Sequence, residues 1–383
     1  LFGILLFTQF TVFAQTYQAA YGTIVNQCSQ TNITNNLTTF ESLGMKRAGT
    51  TALANTLTWL KGQYTNYGYT ASQMVEDSYT YGGNTCKNLI VTKTGTTYPN
   101  TYVIVCGHYD SIGGKGTNDN GSGVASILEV ARLLKNVNTA YSIKFINFSG
   151  EEDGLYGSQH YVDTYVTGAS AISVRIVFNL DEVGGVAGLT NNSITCEKDM
   201  NNSPSSNNTQ SATFTNELMN CVSLYSPLTP VLSFAYASDY VPFQNNGNII
   251  TGFFETNETT HKHTATDLLI YMDPVYNYNV AKAAIGATLH FAQASTTLET
   301  ASQNKFDVVV GPNPASNYVM IDKGNLVKYQ YKLINNNGQI VQESNTEIEE
   351  QQYQINTSGL ASGLYMLIME SGDNHTTKKI MIQ

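Results

Sequence analysis

Positive charge is scarce in this chain: 19 Lys and Arg face 29 Asp and Glu over 383 residues, a formal net charge of −10. A general nucleic-acid binder needs a basic surface, so that class is excluded. Charged residues of both signs make up only 13%, while Asn, Thr, Ser and Tyr abound, a polar but weakly charged surface of the kind exported proteins carry. Five cysteines are present and none forms a CxxC, which argues against a thiolate zinc site. No internal stretch is long and apolar enough to span a bilayer as a helix. What is abundant is hydrophobic content, 42%. That excludes global disorder, and the length suits one large and one small domain.

Residues 1–15, LFGILLFTQFTVFAQ, are a mainly apolar run ending in a small residue, Ala14. This pattern is expected of the core and cleavage site of a signal peptide cut after Ala14. No positively charged segment precedes it, so the signal is expected to be truncated at its start, residues 1–14 being what remains. The other reading is a buried N-terminal strand. Export permits disulfides: Cys28 with Cys86 and Cys196 with Cys221 are the expected pairs, and Cys106, inside an apolar strand pattern, is expected to be a packed free thiol.

Helical spacing runs through 36–65, at Leu37, Phe40 and Leu43 and again at Leu53, Leu57 and Leu60. Strand patterns follow at 102–107, 142–149 and 174–180, with helix patterns at 124–135 and 275–293. Short β-branched runs alternating with helices predict an α/β fold: a mostly parallel central sheet flanked by helices. Residues 190–211, rich in Asn, Ser and Thr, read as an exposed loop. A large domain is expected over 15–293 and a polar linker over 294–305. From 306 to 383 short alternating strands with turn signals (GPNP, NNNG, SGLASG) predict a small immunoglobulin-like β-sandwich.

Ligands of open α/β sheets bind beyond the carboxyl ends of strands, and that is where the chemistry-bearing residues lie. His108 and Asp110 occur in GHYDS, Asp119 in NDNGSG, Glu151 and Glu152 in SGEEDGLYGS, Asp181 in NLDEVGG and His263 in HKHTATD. Hydrolysis by two zinc ions needs imidazole and carboxylate ligands, a shared carboxylate and a shared water. His108, Asp119 and Asp181 suit one zinc; Asp119, Glu152 and His263 suit the other. Glu151 remains as general base, and Asp110 can accept the second ring proton of His108 or cap a turn. The Gly-rich stretch 113–123 lacks the spacing of a phosphate-binding loop.

These five motifs, in this order over roughly residues 85–292, resemble the di-zinc aminopeptidase family that contains the secreted bacterial leucyl aminopeptidases, with glutamate carboxypeptidase and glutaminyl cyclase as relatives. The resemblance implies two Zn2+ per chain, peptide substrates, and the roles given above. It also favours His263 over His261 as ligand, leaving His261 an exposed loop residue and His160, His290 and His375 outside the cluster. Glu182, after Asp181, stands where leucyl-type members are often apolar; it either favours basic or polar N-terminal residues or faces away. Tyr236, in AYASDY, stands near where the family places a donor to the reacting carbonyl, or packs. The early PNP, the SGLASGLYML segment and the Lys-containing terminal strand resemble a type IX secretion sorting domain. That implies export to the cell surface or beyond, with the export machinery as partner; a generic β-sandwich accessory module is the alternative.

The resemblance implies removal of N-terminal residues from peptides. The alternatives are a carboxypeptidase or dipeptidase, which needs a cationic pocket that Arg47, Arg132 and Arg175 are poorly placed to build, a single-zinc glutaminyl cyclase, and a non-catalytic surface binding protein.

Overall fold

The computed structural model describes residues 15–168, 171–295, 308–324, 326–335, 339–371 and 374–383. The expected signal peptide, most of the expected linker and the side chain of His375 lie outside them. The chain divides into two compact units, Leu1–Thr297 and Leu298–Gln383.

In the first unit, α1 (Ala19–Val25), α2 (Gln30–Ser42) and α3 (Thr51–Asn66) precede a hairpin of β1 (Met74–Tyr81) and β2 (Asn84–Lys93). Then come β3 (Tyr98–His108), α4 (Gly121–Leu134), β4 (Tyr141–Phe148), α5 (Tyr156–Tyr161) and β5 (Ser173–Leu180). The unit closes with β6 (Ser193–Lys198), α6 (Asn208–Tyr225), β7 (Thr229–Phe234), α7 (Val241–Asn245), β8 (Ile250–Glu255) and α8 (Pro274–Phe291). The strands form one sheet in the order β1-β2-β4-β3-β5-β8-β6-β7. Its centre, β4-β3-β5-β8, is parallel, and antiparallel pairings bring in β2 on one side and β6 on the other. The mixed α/β architecture flanked by helices is the one the alternating patterns predict.

Local sequence explains the helix starts. Ser29, Thr50, Asn120 and Asp273 each accept a backbone N–H in the first turn of α2, α3, α4 and α8, each cap contributing about 1 kcal/mol. α4 is buried along almost its whole length and packs with α8 in the main core. The single helical pattern over 36–65 resolves into α2 and α3, separated by a turn with Gly44 and Gly49 at positive φ, which Gly adopts without steric cost.

Two expectations are corrected. Residues 190–211 are not a loop throughout: Ser193–Lys198 is strand β6 within the sheet, and α6 begins at Asn208. Only Ile194 and Cys196 are apolar in β6, both fully buried, and two such positions among Asn and Ser leave too short an alternation to recognise. The disulfides are also absent. All five cysteines are free and buried: Cys28 lies against the Tyr278 carbonyl and Cys221 near Gln15, each packed as a small apolar group. Cys106 is the expected free thiol, 3.5 Å from Asn179 Oδ1.

The second unit contains two antiparallel sheets. One is β9 (Val309–Gly311), β10 (Tyr318–Asp322) and β13 (Gln352–Asn356). The other is β11 (Gln330–Ile334), β12 (Ile340–Glu343), β14 (Gly363–Ser371) and β15 (Asn374–Ile382). Val319, Ile321 and Ile355 from the first meet Leu333, Leu367 and Ile380 from the second in one core. That is a β-sandwich core.

The close approach of β3 and β5 depends on Gly107, where a Cβ would lie 2.5 Å from the Leu180 carbonyl oxygen. Gly107→Ala is expected to destabilise by about 1–3 kcal/mol through overpacking, read as a lower midpoint in denaturant unfolding with an unchanged slope.

Candidate metal centre

His108 ends β3 and Asp181 follows β5, and because these strands are parallel neighbours both side chains emerge at the same edge of the sheet. Asp119 arrives from the turn before α4, Glu151 and Glu152 from the loop after β4, and His263 from the loop after β8. His108 Nε2 lies 3.2 Å from Asp119 Oδ1 and 3.3 Å from Asp181 Oδ1. His263 Nε2 lies 3.0 Å from both Asp119 Oδ2 and Glu152 Oε2. Asp119 therefore stands between the two imidazoles, one oxygen toward each. Glu151 Oε2 is 3.9 Å from His108 Nε2. Potential donor atoms of His108, Asp119 and Glu152 lie within 4.8 Å of one another, as do those of His108, Glu151 and Asp181. All six residues expected at the metal site meet.

Supporting groups hold this geometry. Asp110 lies beside His108: the ring Nδ1 is 3.3 Å from the Asp110 carbonyl and 3.6 Å from its carboxylate. The Asp110 carboxylate also accepts the backbone N–H groups of Glu151 and Glu152 at 3.3 and 3.2 Å. It thus anchors the loop that carries both glutamates. Ser238 donates to Asp181 Oδ2 at 2.5 Å. Asp267 accepts the N–H groups of Asn118 and Asp119 at 2.7 and 3.1 Å. Sequence reasoning did not single out Ser238 or Asp267. The HTATD motif ended on Asp267 and the AYASDY segment contained Ser238, so the signal was adjacency to residues already chosen.

The remaining expectations divide. Glu182 does not face away; it lines the same cavity and pairs with Lys262 at 3.2 Å. Tyr236 is also on the cavity wall and is 79% exposed, so it is not a packing residue. His261, expected to be exposed, is half-buried in its loop and stacked on Tyr271. His160 pairs with Asp77, and His290 with Tyr225.

The electrostatics fit cations. Burial raises Glu151 well above the usual carboxylate range, and the Asp181 charge adds to this against the opposing pull of His108. Burial and then Asp119 push Glu152 up to about 8. Burial, Asp119 and Asp181 push Glu182 up to about 10. Burial works against an ionised Asp119, but the hydrogen bonds of His108 and His263 outweigh it and hold this carboxyl below its usual value. Burial also disfavours a charged His108, and Asp181 and Glu151 overcome it. Carboxyls that crowd and repel one another around two imidazole nitrogens form a donor set suited to divalent zinc, and among the described residues no Lys or Arg is ion-paired to Asp119, Glu151, Glu152 or Asp181. The cluster opens into a cavity of about 800 Å³.

Residues 88–288 match the family described as Peptidase family M28, and residues 309–383 match the Secretion system C-terminal sorting domain. The aminopeptidase YwaD of Bacillus subtilis is 48% identical over 83 residues, 21% of this chain and 18% of that protein. The chain thus spans under a fifth of that relative's length. Among solved structures, the LapA aminopeptidase of Legionella pneumophila superposes with a TM-score of 0.63 at 21% identity, covering 76% of this chain and 78% of its own. The glutaminyl cyclase of Macrostomum lignano gives a TM-score of 0.62 at 14% identity, covering 74% and 95%. These two likenesses establish the fold alone.

Ser238→Ala is expected to weaken zinc binding about 10- to 100-fold, as loss of a partner that orients a metal ligand does. Competition against a chromophoric chelator measures it.

Proposed function

Because this chain belongs to peptidase family M28, we propose that it is a zinc-dependent aminopeptidase that binds two zinc ions and removes the N-terminal residue of peptides. The observation that carries this reading is Asp119, with one carboxylate oxygen toward His108 and the other toward His263. A carboxylate so placed suits a pair of metal sites, His108, Asp119 and Asp181 at one and Asp119, Glu152 and His263 at the other. When bound there, zinc supplies Lewis-acid polarisation of the scissile carbonyl and acidifies a water.

The residues of the chain do the rest. Glu151 lines the cavity beside His108 and belongs to neither ligand set, so its carboxylate is free to take a proton from the attacking water. It then delivers that proton to the nitrogen of the leaving amine. Asp110 positions Glu151 by gripping its backbone N–H, and it steadies His108 from the side away from the ligand set. The cavity receives the side chain of the N-terminal residue.

Cation placement argues against a carboxypeptidase. Arg47 is paired to Asp153, Arg132 to Glu129, and Arg175 donates to the Phe291 carbonyl. The cavity's lysine, Lys262, is held by Glu182 and Glu258. None of these offers an unshared charge to a substrate carboxylate.

The sorting domain directs the chain by type IX secretion to the cell surface or the extracellular space. Among the described residues no helix is long and apolar enough to cross a membrane. We infer that the partner of this domain is the export machinery.

The purified chain is expected to hold two zinc ions and to lose hydrolysis of aminoacyl anilides on chelation, regaining it with zinc. Glu151→Gln is expected to keep both ions by elemental analysis while kcat falls about 10²- to 10⁴-fold. Unchanged turnover in that variant would remove Glu151 from the mechanism, and a single zinc without hydrolysis would favour a cyclase.

A further inference from the structure

We propose that the cavity beside the metal cluster is built for a cationic side chain, so that the N-terminal residue removed is lysine or arginine. This rests on the aminopeptidase reading above and names its substrate class.

The excess of buried carboxylate does not stop at the metal ligands. Glu182, Glu197 and Glu258 also line the cavity, and among the described residues the one lysine or arginine on its wall is Lys262. Glu182 is only 7% exposed. Its Oε1 faces Lys262 Nζ at 3.2 Å, and its Oε2 is buried with no hydrogen-bond partner. A buried carboxylate oxygen without a donor is unfavourable, and an ammonium or guanidinium entering the cavity supplies the donor. Glu255, also on the wall, is already satisfied by the Asn118 amide and the N–H groups of Gly185 and Thr259. Among the described residues lining the cavity, Glu182 Oε2 is the fully buried side-chain oxygen left without a donor.

The backbone holds Glu182 in place. Its φ is +45°, a region non-glycine residues rarely adopt and keep only where the surrounding fold imposes it. Here the Glu255 N–H donates to the Glu182 carbonyl at 2.8 Å and ties the residue to the end of β8. Lys262 is shared: it also pairs with Glu258. When a substrate cation takes Glu182, Lys262 keeps Glu258 as its partner, and no charge is stranded. Phe234 and Phe254 on the same wall offer apolar and π surface to the methylene stem and its charged head.

The test compares L-lysine with L-norleucine, which shares its stem and lacks the ammonium. Binding of each to the zinc-loaded full chain is measured by calorimetry at low salt, beside kcat/KM for the lysyl and norleucyl anilides. Lysine is expected to bind at least about tenfold more tightly, the scale of one charge-assisted hydrogen bond, with the same preference in kcat/KM. Glu182→Gln, an isosteric change, is expected to bring the lysine-to-norleucine ratio to within about twofold. Norleucine bound as tightly as lysine by the unmodified chain overturns the proposal whatever the variant does. Parallel weakening of both ligands by Glu182→Gln also overturns it, because Glu182 would then serve the α-amine common to both. Anilides cleaved with norleucyl preferred would remove this inference and leave the aminopeptidase. Lysine preferred in binding with no anilide cleaved would do the reverse.

Discussion

Burying carboxylates beside one another is costly unless positive charge or hydrogen-bond donors accompany them, and this chain gathers Asp119, Glu151, Glu152 and Asp181 around His108. Much of the surrounding architecture answers that demand. Asp110 and Asp267 do so indirectly. Each takes two backbone N–H groups from the segments that carry the acids, which fixes where the acids sit without adding donors to them. Ser238 and the Ile112 N–H act directly, on Asp181 and Glu152. What is left over is negative charge and paired imidazole nitrogen, the combination that binds zinc.

The sheet makes such a gathering possible. Parallel strands β3 and β5 end at the same edge, so His108 and Asp181 need no long loop to meet. Gly107 lets the strands approach there, and Asn120 both caps α4 and donates to the Leu180 carbonyl at 2.9 Å. The start of α4, and with it Asp119, is thereby tied to the end of β5. Rigid strand ends carry some of the candidate ligands while loops bring the rest, a division that lets the loops around a fixed centre shape the cavity.

The second unit is a sandwich with its own core, and among the described residues the groups able to hold a metal all belong to the first. Chemistry and address are thus carried by separately packed parts of one chain. The charge pattern of the first unit extends from the acids around His108 to Glu182 and Lys262, so one electrostatic theme runs through the candidate metal cluster and the cavity beside it.

The residues of the candidate metal cluster could be read in the sequence because each sits in a short motif at a strand end or in a loop beyond one, where side-chain chemistry shows without the fold. The same holds for α4, α8 and the central strands, whose apolar periodicity is strong. Strand β6 could not be read, since Ile194 and Cys196 acquire meaning only once β8 lies alongside. Nor could the state of the cysteines, because pairing depends on where distant thiols are carried by packing. Glu182 was visible as an acid beside a ligand, but whether it faced the cavity depended on its partner Lys262, eighty positions away, and on a backbone turn imposed by β8. Asp110 was expected to partner His108 or to cap a turn; its grip on the Glu151 and Glu152 amides comes from a loop brought over by β4. The sequence by itself determined which residues could bind metal and where α4, α8 and the central strands β3, β4 and β5 would form, since those follow from side-chain chemistry and short-range periodicity. Only the tertiary structure decided which acids share a cavity and which are already satisfied, because hydrogen bonds and ion pairs between distant segments exist only once the sheet has assembled.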